Sequence, residues 1–514
     1  MYTFSSKLKT ISFALMILGI LGIGFGFYSA PKTIEDVKKI MASSENHEGG
    51  HEGANHEAVG HENATHGGVN HEEVVPKANG TAIASAHDEA QTSQVVSTEV
   101  KADSISSNDS IKIQEAIIAP VAHKMSKAEL AAEKIAHDKE HEEHLEHVLH
   151  QLQNKPWAAF YVACLFFMLI SLGVLAFYAI QQVAQSGWSP VLFRVMQGIT
   201  AYLPVGSLIL FVFLILSGLH LNHLFAWMQE GITDPLNEHY DKIIAGKAGY
   251  LNFPFWIARA ALFLIGWNLY RYYSRKNCLA QDESNNNDNY KKNFKLSAMF
   301  LVFFIVTESI MSWDWIMSVD PHWSSTLFGW YVFASFIVSA VTVISMVTMY
   351  LKSKGYLEYV NTSHIHDLSK FMFGFSVFWT YLWFSQYMLI WYSNIPEEVT
   401  YFVTRIDKYT LPFFGAVVMN FVFPLLVLVN TDFKRIFPII AGVGVIILCG
   451  HYIDFFNMIM PATVGDHWFI GVSEISSVLF FVGLFIFVVF SALTKAPLLP
   501  KRNPFIEESK HFHY

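Results

Sequence analysis

From Trp157 to Val183 the sequence reads W-A-A-F-Y-V-A-C-L-F-F-M-L-I-S-L-G-V-L-A-F-Y-A-I-Q-Q-V, with no charged residue over its whole length. A bilayer core of about 30 Å is crossed by about 20 apolar residues of helix, so this stretch predicts a transmembrane helix. Outward from it, nine more segments of similar length and composition lie near 10–29, 199–226, 252–272, 295–318, 326–351, 368–392, 409–430, 436–456 and 472–494. The expected fold class is an all-α integral membrane protein of about ten transmembrane helices. Composition agrees: 53% of the 514 residues are hydrophobic and 15% charged, with a mean hydropathy of +0.33. Such values exclude disordered, collagen-like and small disulfide-stapled chains.

The net charge of -9 is unevenly placed. Residues 31–156 hold 11 Lys, no Arg and 22 Asp plus Glu, a balance of -11, and the remainder carries 23 basic against 21 acidic residues. No basic nucleic-acid footprint exists, and the partners expected are lipids and other proteins. Lys and Arg in short loops resist translocation and stay cytoplasmic. With the N-terminus inside, the cytoplasmic side collects among others Lys7, Lys9, Arg275, Lys276, Lys291, Lys292, Lys434 and Arg435, whereas the opposite short loops hold only Lys242, Lys247, Arg405 and Lys408. Both termini are therefore expected in the cytoplasm and residues 31–156 outside. The first apolar run could also be read as a leader cleaved after Ser29-Ala30, but Tyr28 fits poorly three residues before such a cut, which favours a retained anchor.

Residues 31–156 show little apolar periodicity and cannot bury enough apolar surface to offset the entropy of ordering. A degenerate repeat places His47, His51, His56, His61, His66 and His71 four or five residues apart. It reads either as a solvated linker or as a weak metal or proton acceptor. Residues 128–150 are rich in helix formers and are expected to extend the second membrane helix outward, with His141, His144, His147 and His150 at three-residue spacing.

Ionisable groups at bilayer depth are costly and mark pathways, ligand sites or self-neutralising pairs. Here they are His220 and His223 in the third expected helix, Arg259 in the fourth, Glu308 and Asp314 in the fifth, His451 and Asp454 in the ninth, and Glu474 in the tenth. The predicted topology puts all but Glu308 in the external half of the membrane. His220 with His223, and His451 with Asp454, are spaced to share a helix face. Glu308 and Asp314 are six residues apart, about 120° different in direction, and so are expected in different roles. Arg259 could instead simply neutralise Asp314 or Asp454. Haem ligation by His220 and His451 is disfavoured, because two b-type haems need four deep histidines on facing helices. Three scattered cysteines, Cys164, Cys278 and Cys449, cannot hold a cluster or a c-type haem, and no metal site is expected on this chain.

Two stretches carry a family resemblance. One is D-W-I-M-S-V-D-P-H-W-S-S-T-L-F-G-W, Asp314 to Trp330, and the other is F-S-Q-Y-M-L-I-W-Y-S-N-I-P-E-E, Phe384 to Glu398. Together they resemble the NrfD/PsrC-like membrane subunits of alternative complex III, a bacterial quinol:cytochrome c oxidoreductase. The likeness covers roughly residues 157–500 and is nearest to the F-type subunit, while the long insert departs from the pattern. It implies two four-helix bundles, 157–325 and 326–460, flanked by the anchor at 1–30 and by a last helix and cytoplasmic tail at 461–514. It also implies a multi-pass protein of the bacterial inner membrane with residues 31–156 in the periplasm. The resemblance further implies haem c and iron–sulfur clusters on partner subunits, a C-type membrane subunit and a terminal oxidase as neighbours, and quinone or menaquinone as the complex's substrate. On that reading His220, Arg259, Glu308, Asp314, His451 and Asp454 form a proton path or quinol pocket. His223, His322, Tyr381 and Gln386 are expected to line it, with Tyr381, Gln386 and Tyr387 extending a hydrogen-bonded line. The alternative is a proton-coupled transporter, which calls for helices broken at the midplane; the sequence shows few such breaks, Pro204 and Pro424 being the main exceptions.

Overall fold

The computed structural model describes residues 2–48 and 127–513; the repeat from His51 to His71 lies outside them. The described residues are helical, with no strand among them. In chain order the helices are α1 (Ser6–Ser29), α2 (Ile34–Glu48), α3 (Lys127–Val183), α4 (Phe193–Ile199), α5 (Leu203–Gly218), α6 (Lys242–Lys247), α7 (Phe253–Glu283), α8 (Asp288–Trp315), α9 (Phe328–Ser353), α10 (Thr362–Ser393), α11 (Pro396–Asp407), α12 (Thr410–Val417), α13 (Phe423–Leu428), α14 (Phe437–Val464), α15 (Val472–Leu493) and α16 (Ile506–Lys510). A π-helical turn, Val418–Val422, joins α12 to α13. The chain forms two units: Met1–Lys38 with His144–Tyr514 carries the helical core, and Lys39–Glu143 is helical where described.

Among the described residues, eight helical segments are long and apolar enough to cross a membrane. They are Ser6–Ser29, His137–Val183, Pro190–Gly218, Asp288–Val319, Phe328–Ser353, Thr410–Leu428, Phe437–Val464 and Val472–Leu493. These account for eight of the ten expected segments and make the chain a multi-pass membrane protein. The other two, α7 and α10, form helices of 31 and 32 residues but are more polar, with Arg259, Arg271 and Arg275 on α7 and many Trp and Tyr on α10.

Burial orders the helices around a centre. In the most apolar stretches of α3 and α9, 94% and 89% of residues are buried, against 17% for α1, so α3 and α9 are sheathed by protein and α1 faces outward. α1 packs against α15 at close backbone range: a Cβ on Gly19 would lie 2.5 Å from the Phe480 backbone nitrogen, and one on Gly483 2.7 Å from the Ser12 carbonyl oxygen. Small residues permit such approach where lipid gives helices no hydrophobic reason to associate.

Helix ends follow local chemistry. Asn252 accepts the Phe255 N–H at 3.1 Å to start α7, with Pro254 in its first turn. Asn361 accepts the N–H groups of Ser363 and His364 to start α10. α10 closes at Asn394, whose left-handed φ of 48° suits an asparagine, and Pro396 opens α11. α11 is strongly amphipathic and was not expected from the sequence, which reads as a loop there.

Candidate functional site

Two polar centres lie inside the helix packing. The first joins α7 to α8. Arg259 donates from Nε to Asp314 Oδ2 at 2.7 Å and from Nη2 to Oδ1 at 2.9 Å, a two-pronged pair with Asp314 fully buried. Its Nη1 donates to the Tyr250 carbonyl at 3.2 Å, and its guanidinium lies over the rings of Tyr250 and Phe255 at 4.0 and 4.3 Å. The Asp314 carbonyl accepts from Trp256 Nε1 at 2.8 Å and Ser318 Oγ at 2.6 Å. Every strong group here has a partner, which makes the first centre a brace between antiparallel helices. Of the two partners expected for Arg259, Asp314 is the one found.

The second centre joins α9, α10 and α14. Asp454 accepts from the Tyr331 hydroxyl on one oxygen and from Trp379 Nε1 at 2.8 Å on the other. His451, one turn earlier and fully buried, has Nδ1 3.0 Å from Ser335 Oγ and 4.0 Å from Asp454 Oδ2, while its Nε2 has no partner. Among the described residues no cation meets Asp454 within ion-pair distance apart from His451, and its close partners are the two hydrogen-bond donors. The centre therefore joins a carboxylate, an imidazole with one open nitrogen and two hydroxyls, all groups able to accept or donate a proton. The expected shared face of His451 and Asp454 is found.

Next to it lies a cavity of about 10 Å³, lined by Tyr331, Gln386, Tyr401, Arg405, Phe413 and Asn457 among others. That is room for about one water. Gln386 is 3% exposed and neither its amide nitrogen nor its oxygen has a partner. Arg405 of α11 is also buried and donates to the carbonyls of Asn457 at 3.0 Å and Tyr401 at 2.8 Å. Sequence reasoning placed Arg405 in a loop and overlooked Tyr331 and Trp379.

Glu308 stands apart from both centres. It is 2% exposed, with Ser309 Oγ at 3.2 Å from Oε2 and Ser312 Oγ at 3.5 Å from Oε1. Among the described residues no cation is paired with it, and its side chain is away from the Arg259–Asp314 pair.

Three expectations need correction. His220 and His223 are not on a membrane helix, because α5 ends at Gly218 and His220 takes a left-handed φ of 57° in the following turn. They do not share a face; both are exposed, and His223 instead meets the His150 ring at 5.2 Å between centroids. A hollow of about 240 Å³ is lined by His220 with Trp227, Gln229, Thr233, Asn252 and Phe253. Tyr381 is 65% exposed on the outer face of α10 and cannot extend a line through Gln386.

His322, in the turn after α8, is held at 2.6 Å from Asp241 Oδ2, and Lys247 Nζ donates to the Pro321 carbonyl at 2.6 Å. Asp241 also accepts the Ile243 and Ile244 N–H groups that begin α6. Those N–H groups and the His322 ring hold the Asp241 carboxyl below its usual range. The D-P-H turn is thereby fastened to the preceding loop. Glu474 Oε2 accepts the Gly471 N–H at 2.8 Å and caps α15. In comparisons with protein-family models and with curated proteins, the chain matches none.

Proposed function

We propose that this chain is an integral membrane subunit of a respiratory quinol:cytochrome c or quinol:oxidase oxidoreductase of the alternative complex III type, and that its share of the work is moving protons and bracing the membrane assembly. The observation that carries the reading is the second centre, where Asp454, His451, Tyr331 and Ser335 form a buried, hydrogen-bonded acid–base group whose one open nitrogen is fully enclosed. The quoted stretches supply part of it: Asp314 and the turn to His322 lie in the first, Gln386 in the second.

A quinol that gives up two electrons also releases two protons, so a complex that oxidises it needs acceptors near the site and a route away. The cavity beside Asp454 admits a water and is far smaller than a quinol ring. In this reading the haem c and iron–sulfur relay belongs to partner subunits, and this chain supplies acid–base groups. In this reading α7 and α10 also cross the membrane, giving ten spans and two four-helix bundles, 157–325 and 326–460. The chain sits in a bacterial inner membrane with both termini cytoplasmic and residues 31–156 periplasmic.

Purification from native membranes in mild detergent through a tag on this chain tests the reading. A visible spectrum and subunit inventory should show haem c and iron–sulfur proteins co-purifying with quinol:cytochrome c activity. A colourless chain isolated alone would overturn it in favour of a proton-coupled transporter. One observation favours that second reading: the span Thr410–Leu428 is broken by the π turn and Pro424, and there Asn420 is fully buried with neither side-chain polar atom partnered.

A further inference from the structure

Arg271 and Arg275 stand one turn apart on α7, half-buried, and among the described residues neither meets a carboxylate within ion-pair distance. Like charges at that spacing on a helix repel. The acids at this end of α7 and α8 are engaged or distant. Asp282 pairs with the buried Arg194 and accepts the Lys501 N–H at 2.9 Å, Asp288 accepts from Asn286 Nδ2 at 2.7 Å, and Glu283 is exposed about two turns beyond Arg275. The facing chain from Phe193 to Gly218 holds no Asp or Glu, and α8 adds the exposed Lys291, Lys292 and Lys295 at the same end.

Both guanidiniums can be reached. Arg271 Nε is enclosed without a partner, but its two Nη nitrogens are open and make no hydrogen bond among the described residues. Arg275 Nη1 donates to the Gln197 carbonyl at 3.3 Å, which sets its fork across the groove between α7 and α4 with Nε and Nη2 open. One turn further in, Asn268 Nδ2 donates to Ser207 Oγ at 3.0 Å and ties α7 to α5 beneath the arginines. Tyr272 and Tyr273 expose their rings beside the pair, and Leu262, Ile265 and Leu269 of α7 with Leu208 of α5 leave an apolar flank exposed below it. Arg271 lies about 27 Å along α7 from Phe253 at about 1.5 Å per residue, so both arginines fall near the far edge of a core about 30 Å thick. Tyrosines and cations at that depth mark the level of the lipid headgroups.

We infer that Arg271 and Arg275 hold the phosphodiester of an anionic glycerophospholipid of the cytoplasmic leaflet. Its non-bridging oxygens accept from the open guanidinium nitrogens, a geometry that arginine forks suit, and its acyl chains lie along Leu208, Leu262, Ile265 and Leu269. Basic pockets between helices on the cytoplasmic side take such headgroups. In the proposed topology residues 31–156 are on the other side of the membrane from this groove. The inference rests on α7 crossing the membrane and on nothing in the quinol reading. Cysteine labelling at position 287 reports the crossing by itself, so the two can fail separately.

The test uses the full chain purified in a neutral detergent, stripped of loosely held lipid, and examined by native mass spectrometry and thermal unfolding with added phosphatidylglycerol. The lipid should bind wild type and raise its unfolding temperature. Arg271→Gln and Arg275→Gln should each weaken that binding about tenfold, the scale of one lost charge-assisted contact. Arg271→Lys, which keeps the charge without the fork, should fall between. Lys292→Gln, on an exposed cation of α8 outside the groove, should bind as wild type does. Without lipid, Arg271→Gln should be no less stable than wild type, because it removes one of two like charges. An arginine that only braced helices would cost stability with and without lipid alike. Diacylglycerol, with the same chains and no phosphate, and inorganic phosphate, with no chains, should each fail to stabilise. Overturning results are wild-type affinity in both Gln variants, a loss in Lys292→Gln as large as in Arg271→Gln, equal destabilisation of Arg271→Gln with and without lipid, or stabilisation by diacylglycerol or by inorganic phosphate as large as by phosphatidylglycerol.

Discussion

Arg259 and Asp314 are both buried, and among the described residues each is the other's one ion-pair partner. Removing one partner of such a pair leaves a buried charge without compensation and costs about 3–5 kcal/mol. Arg259→Ala should therefore lower the unfolding temperature of the detergent-solubilised chain sharply. Arg259→Lys, which keeps the charge but loses the two-pronged fork, should fall between. Tyr381→Phe, on a side chain 65% exposed, should stay within about 0.5 kcal/mol of wild type. Equal unfolding temperatures for Arg259→Ala and Tyr381→Phe would show that the pair braces nothing. Charged residues of this kind were legible because an Arg or Asp in an apolar run is conspicuous. Tyr331 and Trp379 were not, since among 22 Tyr and 13 Trp nothing in their spacing marks the two that meet Asp454. His220 was misplaced because the apolar run continues through Leu219 and Leu221 past the actual helix end, and hydropathy registers no change of backbone there.

A helix as short as α6, six residues, cannot hold itself together in water. Its start depends on Asp241, which accepts two backbone N–H groups and meets His322 from the turn after α8. Because folding lowers the Asp241 pKa, the carboxylate's contribution is fully present above the unfolded value, about 3.9. It is lost as pH falls through the lower folded value. Asp241→Asn keeps a residue that caps well but removes the charge facing His322. The unfolding temperature of wild type should thus exceed that of Asp241→Asn by a constant margin above about pH 5. The margin should narrow below about pH 4, and one unchanged down to pH 2.5 in scanning fluorimetry would contradict the assignment. Among the elements, the long apolar helices could be read from the sequence with few errors. α6 and α11 could not, because their order comes from contacts distant in sequence: α11 looks like a charged loop until Arg405 is seen buried against the Asn457 carbonyl of α14.

At the scale of the molecule, α7 and α10 make the difference between the eight described helices that qualify as spans by composition and the ten expected. α7 is joined to the apolar α8 through residues 284–287 alone, and Arg259 near its start pairs with Asp314 near the end of α8, so the two lie antiparallel over most of their length. At 31 residues α7 is about 46 Å long, more than a bilayer core. It also leaves Leu262, Ile265 and Leu269 49–58% exposed, as α10 leaves Phe384, Leu389 and Trp391 52–63% exposed, faces that suit lipid and not water. Their lower hydropathy reflects arginines near the helix ends and aromatic residues suited to interfaces. If both cross, the links holding Asn287 and Glu358 lie in the cytoplasm; if neither does, both are outside, while Glu397 is outside in either case. Single cysteines at these three positions, in a chain whose Cys164, Cys278 and Cys449 have been replaced, separate the two topologies. In intact spheroplasts a membrane-impermeant maleimide should label Glu397→Cys at once, and Asn287→Cys and Glu358→Cys only after the membrane is opened. Labelling of Asn287→Cys from outside would strip α7 of its span and set the cations Arg275, Lys276, Lys291 and Lys292 against the rule that keeps such clusters in the cytoplasm.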